Sequence, residues 1–309
     1  MVDILMATYN GKKFIEEQLQ SIINQTYTDW RLIISDDCST DGTLEILEKY
    51  KKRHSEKLIV HANSMPSGSA KNNFYKLLWN WKANSDYVML SDQDDIWLSE
   101  KIEVTLNYMK MYERKYGANT PILIHTDLCV VDENLSELSP SLFFMQKMDP
   151  SRHALNQLLV QNIVTGCTMM VNKALLDKII ELPRNSVMHD MWLALIAAVF
   201  GKIGFIEHPT ILYRQHQFNC EGAKDVRSFQ YLLWRILSPK EIHQNLVAQY
   251  KQAKEFLDIY YEYLDKDVRE MLTQYSSLEH ASIYKKYKIL SKYNLKKDGY
   301  IKFLGQLIR

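Results

Sequence analysis

Apolar and polar positions in the first hundred residues switch repeatedly between two periods. Short β-rich runs at 3–7, 30–34, 58–61 and 87–90 alternate with stretches whose apolar residues recur at helical spacing. The first of these, 14–23, carries Phe14, Ile15, Leu19, Ile22 and Ile23. The second, 43–50, comes after Ser39, Thr40 and Asp41 as capping candidates, and the third covers 69–81. Four strands separated by helices predict parallel βαβ units with right-handed crossovers. Ligands of such sheets bind beyond the carboxyl ends of the strands. Polar clusters stand there: Thr8-Tyr9-Asn10 after the first strand, Asp36-Asp37 after the second, and Asp92, Asp94 and Asp95 after the fourth.

The second half is less regular. Residues 121–125 and 127–131 read as two strands, 132–150 as a long polar loop, 166–171 as a strand and 173–180 as a helix. His189-Asp190 stands at the mouth of an almost wholly apolar helix, 191–200, with two more strands after it at 202–206 and 210–213. Past Gly222 strand patterns cease and helices such as 242–263 take over, with no repeat and no low-complexity linker, so this region is expected to dock on the rest.

Composition narrows the class. The chain has 309 residues, 46% hydrophobic and 24% charged, which suits one large globular domain or a domain with an appendage. Cys38, Cys129, Cys167 and Cys220 are scattered without a CxxC pair, the usage of reduced thiols in a cytosolic protein. The N-terminus reads as a first strand, not a signal peptide, and no apolar run reaches the roughly 18 residues of a membrane span. The net charge of +1 hides an asymmetry. Residues 281–309 hold Lys285, Lys286, Lys288, Lys292, Lys296, Lys297, Lys302 and Arg309 against Asp298, an excess of +7 that leaves −6 for the other 280 residues. With Tyr284, Tyr287, Tyr293, Tyr300 and Phe303 interleaved, the tail suits anionic lipid headgroups, or is simply a solvated helix face. No nucleic-acid recognition motif accompanies the charge.

The most telling segment is 87–98, an apolar strand running into Asp92, Asp94 and Asp95. Like charges at the end of a buried strand repel, and a divalent cation relieves them. Magnesium or manganese held by one or two carboxylates keeps its remaining coordination for water and substrate phosphates. The plainer alternative is an acidic turn opening the next helix, with Ser99 as its N-cap. The 67–73 loop, Ser-Gly-Ser-Ala-Lys-Asn-Asn, opens a helix where backbone N–H groups and Lys71 could meet phosphate, although the P-loop spacing is missing. Met169, Met170, Trp79, Trp81 and Trp192 are expected mostly in the core, with an acceptor groove as the other use.

Taken together, Met-Ala-Thr-Tyr-Asn-Gly at 6–11, Gln-Thr-Tyr-Thr-Asp-Trp at 25–30, Ser-Asp-Asp-Cys-Ser-Thr-Asp-Gly-Thr at 35–43 and Ser-Asp-Gln-Asp-Asp at 91–95 resemble the family 2 glycosyltransferases. Thr-Gly-Cys-Thr-Met-Met at 165–170, His-Asp-Met-Trp at 189–192 and Tyr-Arg-Gln-His at 213–216 continue the match in order. The resemblance covers about residues 1–220 and implies for them an α/β fold of the GT-A type, a Rossmann-like, mostly parallel sheet; the helical pattern of 221–309 makes a C-terminal extension beyond it. It implies a nucleotide-sugar half at about 1–110, an acceptor half at about 111–220, and inverting transfer from a nucleotide-diphosphate sugar with Mg2+ or Mn2+. The Asp-Gln-Asp-Asp-Ile-Trp form is similar to bacterial rhamnosyltransferases of cell-wall rhamnan, capsule and O-antigen synthesis. That likeness implies a dTDP-L-rhamnose donor, with a UDP-hexose as alternative, and a glycan or lipid-linked acceptor at the inner face of the cell membrane.

Carried onto this sequence, the resemblance assigns Thr8, Tyr9 and Asp37 to base and ribose, Asp92 to ribose and metal, Asp94 to the metal, and His216 to the metal or pyrophosphate. It makes Asp190 the general base of a single displacement. The competing readings are a turn-capping Asp37, an Asp95 that caps the following turn, a solvated His216, and Asp190 as an N-cap, with Asp127 or Asp132 then next in line as base. A nicotinamide oxidoreductase fails on the first βα turn, where Thr8-Tyr9-Asn10-Gly11-Lys12-Lys13 offers one glycine in place of three. A non-catalytic sugar-binding protein on a decayed transferase fold would be expected to lose the acidic motif or the base, and candidates for both are present.

Overall fold

The computed structural model describes residues 1–309 except 83, 218, 220–221, 224–237 and 309, together with the side chains of 239, 300, 301 and 308. Cys220, the expected boundary at 220/221, the Tyr300 side chain and Arg309 therefore lie outside the described residues.

Alternating periods in the first hundred residues give the expected succession. Strands β1 (Val2–Thr8), β2 (Trp30–Asp36), β3 (Leu58–Ala62) and β4 (Tyr87–Ser91) alternate with helices α1 (Ile15–Ile23), α2 (Thr43–Arg53) and α3 (Ala70–Trp81). All pairings among these strands are parallel, in the order β3-β2-β1-β4. Crossover helices cover both faces, so the strand interiors are apolar throughout: Ile4, Leu5, Met6, Leu32, Ile33 and Ile34 are all wholly buried.

The sheet continues through β8 (Met170–Asn172), antiparallel to β4, then β6 (Ile122–Val131) and β9 (Lys202–Arg214), which run parallel, and ends at β5 (Ile96–Trp97). The short β7 (Glu137–Ser139) pairs with β6 off this path. This is the mostly parallel α/β sheet expected. The helix after β5, α4 (Lys101–Tyr116), packs against β6 and β9.

Several boundaries differ from expectation. The two strands read at 121–131 are one, because all ten residues of β6 are buried and Thr126 finds a partner in Thr210. Those read at 202–213 are also one, with the ladder shifting so that exposed Glu207 and His208 bulge out between Ile206 and Pro209. Residues 166–168 form a 3₁₀ turn in which the Thr168 hydroxyl donates to the Thr165 carbonyl, and only Met170–Asn172 is strand. The helix read at 173–180 stops at Leu176, giving α7 (Lys173–Leu176). The supposed loop 132–150 contains β7 and α5 (Leu142–Gln146), capped by Ser141. Ser99 does not cap α4: Glu100 holds that position and the Ser99 hydroxyl donates to the Glu100 carboxylate.

The C-terminal helices α9 (Pro239–Tyr260), α10 (Lys266–Ser276), α11 (Ile283–Lys292) and α12 (Tyr300–Ile308) dock on the sheet domain, as expected. Leu246, Tyr250, Phe256, Tyr275, Leu290 and Leu307 share one core with Leu5, Val88 and Trp192. Helix α9 ends at Tyr260, and a 3₁₀ turn comes next at Tyr261–Tyr263. Hydrogen bonds pin the last helices to α6 (Leu155–Leu158) and to the chain on either side of it. Arg152 Nη2 donates to the Lys296 carbonyl at 2.5 Å, Asn156 Nδ2 to that of Tyr293 at 3.1 Å, and Gln161 Oε1 accepts from Asp298 N at 2.9 Å. No helix among the described residues is long and apolar enough to cross a membrane.

Candidate active site

A cavity of about 720 Å³ opens at the carboxyl ends of β1, β2 and β4, and it collects residues from distant parts of the chain. Thr8, Tyr9, Asp37, Asp92 and Asp94 line it together with Asp190, Gly166 and the Pro66 to Ala70 turn. Lys71 and His216 do not line it.

At the ends of β1 and β2 the backbone is held in sparsely populated conformations. Asn10 has φ +47° and Cys38 has φ +64°, the left-handed region that non-glycine residues enter at a cost of about 1–2 kcal/mol each. Side chains hold these turns. Asp36 accepts from the Thr8 hydroxyl at 2.9 Å, the Ser39 hydroxyl at 2.6 Å and Ser39 N at 3.0 Å, and Asn10 Oδ1 accepts from Thr40 N at 2.9 Å. Asp36 is therefore the turn-holding member of the Asp-Asp pair. Asp37 points the other way, toward the β3–α3 loop: Oδ1 accepts from Asn63 Nδ2 at 2.8 Å and Ser67 N at 2.7 Å, and Oδ2 from the Ser67 hydroxyl at 2.8 Å. Its neighbour in the cavity wall, the Tyr9 ring, is 58% exposed and open to stacking.

The acidic motif lies just past β4. Gln18 of α1 donates to the Ser91 hydroxyl at 2.8 Å and the Asp92 carbonyl at 3.2 Å, and Gln93 clasps the Tyr9 backbone, accepting from its N–H at 2.9 Å and donating to its carbonyl at 3.0 Å. Asp92 and Asp94 are partly buried and Asp95 wholly so. Burial, then the charges of Asp94 and Asp190, push Asp92 up to about 7. Burial and the other two carboxylates push Asp95 well above the usual range. Asp95 does not cap the next turn: Oδ1 accepts from Arg214 N at 3.1 Å, while Oδ2 is buried without a hydrogen-bond partner. Cys167 Sγ and one oxygen each of Asp92 and Asp95 lie within 4.8 Å of one another, and burial beside these acids holds the thiol well up, in its protonated form.

His216 is 3% exposed in its side chain, stacks on Phe14 with ring centroids 4.6 Å apart, and places Nε2 3.0 Å from Asp94 Oδ2, so it is fixed in place and not a solvated loop histidine. Arg214 has a bracing role that its place in the Tyr-Arg-Gln-His segment does not spell out. Its buried guanidinium sits 4.6 Å from the Phe14 ring centroid, donates to the Asp94 and Glu133 carbonyls at 3.0 Å each, and pairs with Glu17. Arg214 thereby ties α1, the acidic loop and the end of β9 into one rigid wall. An oxygen-rich set with an unpartnered buried carboxylate oxygen and raised carboxyls fits a hard divalent cation.

Across the cavity stands Asp190. It is the second residue of α8 (His189–Phe200), whose N-cap is Met188, so Asp190 is not the cap. Its carboxylate accepts from Gly166 N at 3.1 Å, Asn162 Nδ2 at 3.2 Å and Met191 N at 2.5 Å. The other acids in line as base are engaged elsewhere: Asp127 Oδ1 accepts from Leu128 and Leu142 N–H groups, and Asp132 Oδ1 from those of Asn134 and Ser136. Lys71, expected at phosphate, donates instead to the Ser186 carbonyl at 2.7 Å. Ser69 caps its helix, accepting from Asn72 N at 3.2 Å, and with Gly68 and Ala70 supplies the cavity wall there. Met169, Met170 and Trp192 are buried core residues, and Trp79 is exposed beneath Lys82.

The chain matches the family described as Glycosyl transferase family 2 over residues 3–180. It is 33% identical over 229 residues, 71% of this chain and 74% of the relative, to the dTDP-rhamnosyl transferase RfbG of Shigella flexneri. In fold it is similar to S. aureus TarS 1–349 in complex with UDP-GlcNAc, with a TM-score of 0.59 at 19% identity, covering 90% of this chain and 72% of that one. It is also similar to the mannosyltransferase PcManGT of Pyrobaculum calidifontis in complex with GDP-Man and Mn2+, with a TM-score of 0.51 at 16% identity, covering 99% and 86%. A parallel sheet of this order, an acidic motif at the end of β4 and a match over more than half the chain lead to one assignment: the protein belongs to glycosyltransferase family 2 and has the GT-A fold.

Proposed function

We propose that the protein is an inverting rhamnosyltransferase that moves L-rhamnose from dTDP-L-rhamnose onto a glycan or lipid-linked oligosaccharide. The observation that carries the reaction is the convergence on one cavity of Asp37, the Asp92/Asp94 pair and Asp190. Tyr9 stacks on the pyrimidine and Asp37, oriented by Asn63 and Ser67, accepts from its ring N–H. Asp92 and Asp94, with His216 behind Asp94, would hold Mg2+ or Mn2+, which offsets the charge of the pyrophosphate and of the leaving nucleotide diphosphate. Asp190 takes the proton of the acceptor hydroxyl as that oxygen attacks the anomeric carbon. Thr8 braces this site through Asp36, and Lys71 braces the Ser186 segment. The choice of sugar rests on the wall beside Asp190, where Phe74, Ile163, Val164, Val187, Met188 and Met191 present an apolar surface that suits the methyl group of a 6-deoxy sugar, and on the likeness to RfbG.

A panel of dTDP-, UDP- and GDP-sugars scored by nucleotide release, with and without EDTA, tests both levels. Fastest release from dTDP-L-rhamnose, abolished by EDTA, is expected. Preference for a UDP-hexose, the donor class found on TarS, would overturn the sugar, and release unaffected by EDTA the metal.

The acceptor side points to a membrane surface. Ile283, Tyr284 and Tyr287 of α11 are 58%, 77% and 54% exposed beside exposed Lys285 and Lys288, on helices pinned to the segment leading into the cavity wall at Asn162. The tail charge is not wholly available: Lys286 is buried and Lys292 pairs with Glu270 at 2.8 Å. Binding to anionic vesicles at low salt, weakened by Tyr284→Ser with Tyr287→Ser, is expected for work at the inner face of the cell membrane. Indifference of the whole chain to such vesicles would overturn it.

A further inference from the structure

The proposed reaction uses Asp37, Asp92, Asp94 and Asp190, and among the other polar groups of the cavity wall His189 stands out for its unpartnered ring nitrogens. His189 is 4% exposed and lines the cavity beside Asp190, yet neither ring nitrogen has a hydrogen-bond partner. Its ring is locked by stacking on Phe74, centroids 4.2 Å apart and planes 25° from parallel. The backbone opposite is a glycine for a steric reason: a Cβ on Gly166 would stand 2.9 Å from Nε2. Buried polar atoms are nearly always satisfied, and a buried nitrogen left unpartnered in a cavity wall is a place for a ligand to supply the partner.

Charge and position narrow that ligand. Burial and the nearby Lys71 push His189 down to about 3, so the ring is neutral, with one N–H donor and one acceptor nitrogen. Such a ring gives a phosphate no countercharge. It matches a hydroxyl, which both donates and accepts. Phe74 belongs to α3, whose N-cap Ser69 and first residue Ala70 line the nucleotide end of the cavity, and the residue after His189 is the proposed base. The space between the pyrophosphate site and the base is where the transferred sugar must lie.

We propose that His189 is a sugar-recognition residue that hydrogen-bonds a ring hydroxyl of the donor sugar, with Phe74 fixing its orientation and Gly166 leaving room for its ring. The inference rests on the transferase reading but not on rhamnose being the sugar. It predicts selectivity for the sugar and not for the nucleotide.

His189→Phe keeps the stack and removes both nitrogens, and His189→Gln restores a donor and an acceptor. With the best donor of the panel, kcat/KM is expected to fall roughly 10- to 100-fold in His189→Phe and to recover in part in His189→Gln. Affinity for the nucleotide diphosphate alone, by calorimetry with metal, should stay within about twofold of the parent. Across a series of mono-deoxy donors, the analogue lacking the contacted hydroxyl should lose the same factor with the parent and nothing further with His189→Phe. A folded His189→Phe with parental kcat/KM would overturn the inference while leaving the transferase reading intact. So would equal losses for nucleotide and nucleotide-sugar. A parent that turns over no nucleotide-sugar would sink the transferase reading and this inference with it.

Discussion

Asp3, at the amino end of the sheet, and Asp95, beyond its carboxyl end, are 1% and 0% exposed, and the protein treats them oppositely. The Asp3 carboxylate is closed off: Arg31 Nε and Nη2 grip both oxygens at 2.9 and 2.8 Å, and the Ser85 hydroxyl adds a third bond at 2.5 Å. Asp95 has one backbone donor, an oxygen with no partner, and two more carboxylates beside it. A satisfied buried ion pair secures register between β1 and β2. An unsatisfied acidic cluster is electrostatically costly and a bound cation would relieve it, so the two ends of one sheet separate structural charge from the charge assigned here to the proposed function.

The largest expected effect is at the carboxyl end. Asp190→Asn should lower turnover by roughly 10² to 10⁴, about 3–5 kcal/mol of transition-state stabilisation. Donor affinity should stay near the parent's. Its amide must turn toward one of the donors that Asp190 now accepts from, at a cost of about 1 kcal/mol in stability. Single-turnover kinetics with calorimetry checks this, and near-normal transfer by a folded variant would remove Asp190 from the chemistry.

Arg31→Met sharpens the contrast from the amino end. Leaving Asp3 buried without its partner should cost about 3–5 kcal/mol of unfolding free energy. Activity per folded molecule should be unchanged. Urea unfolding beside an active-site titration measures both, and a loss of kcat would show that the two ends are coupled.

The raised carboxyl of Asp92 sets a pH dependence. With its ordinary value near 4 moved up to about 7, the metal-free folded protein holds a proton there below pH 7, and a cation must displace it. Metal affinity should be at its plateau above pH 7 and fall as pH drops through 7, about tenfold per pH unit for one displaced proton. Calorimetry in buffers of different ionisation enthalpy detects the released proton; pH-independent binding from about 5.5 to 8 would contradict it.

The smallest effect is the most diagnostic. Asp94→Asn removes one of three crowded carboxyls, so in EDTA the protein should gain up to about 1 kcal/mol in stability while losing metal-dependent donor binding. A loss of stability in EDTA would make the cluster structural, like Asp3.

Strands β1 to β4 and the placement of Asp37, Asp92 and Asp94 beyond their ends are legible in the sequence because local signals agree: buried parallel strands are short apolar runs, and the turns between them carry Asn, Asp and Ser. The later elements escape local reading where a neighbour decides them. Strand β6 crosses polar Thr126 because Thr210 receives it, and Asp190 looks like a cap until the backbone of Met188 takes that position. Lys71 turns to Ser186, 115 residues away, and no local pattern announces it.

Chemical type was determined by the sequence alone: a parallel α/β sheet, an acidic motif after its fourth strand, a base candidate opening an apolar helix, and a basic aromatic tail. These come from periodicity and residue chemistry, which act over a few positions. Only the tertiary structure decided which acid is held by Arg31 and which is left unsatisfied, that Arg214 would brace the acidic loop against Glu17 across 197 positions, and that His189 would reach the cavity with both nitrogens bare. Burial and hydrogen-bond partners set a charged group's free energy, and both come from residues that only folding brings within a few ångströms.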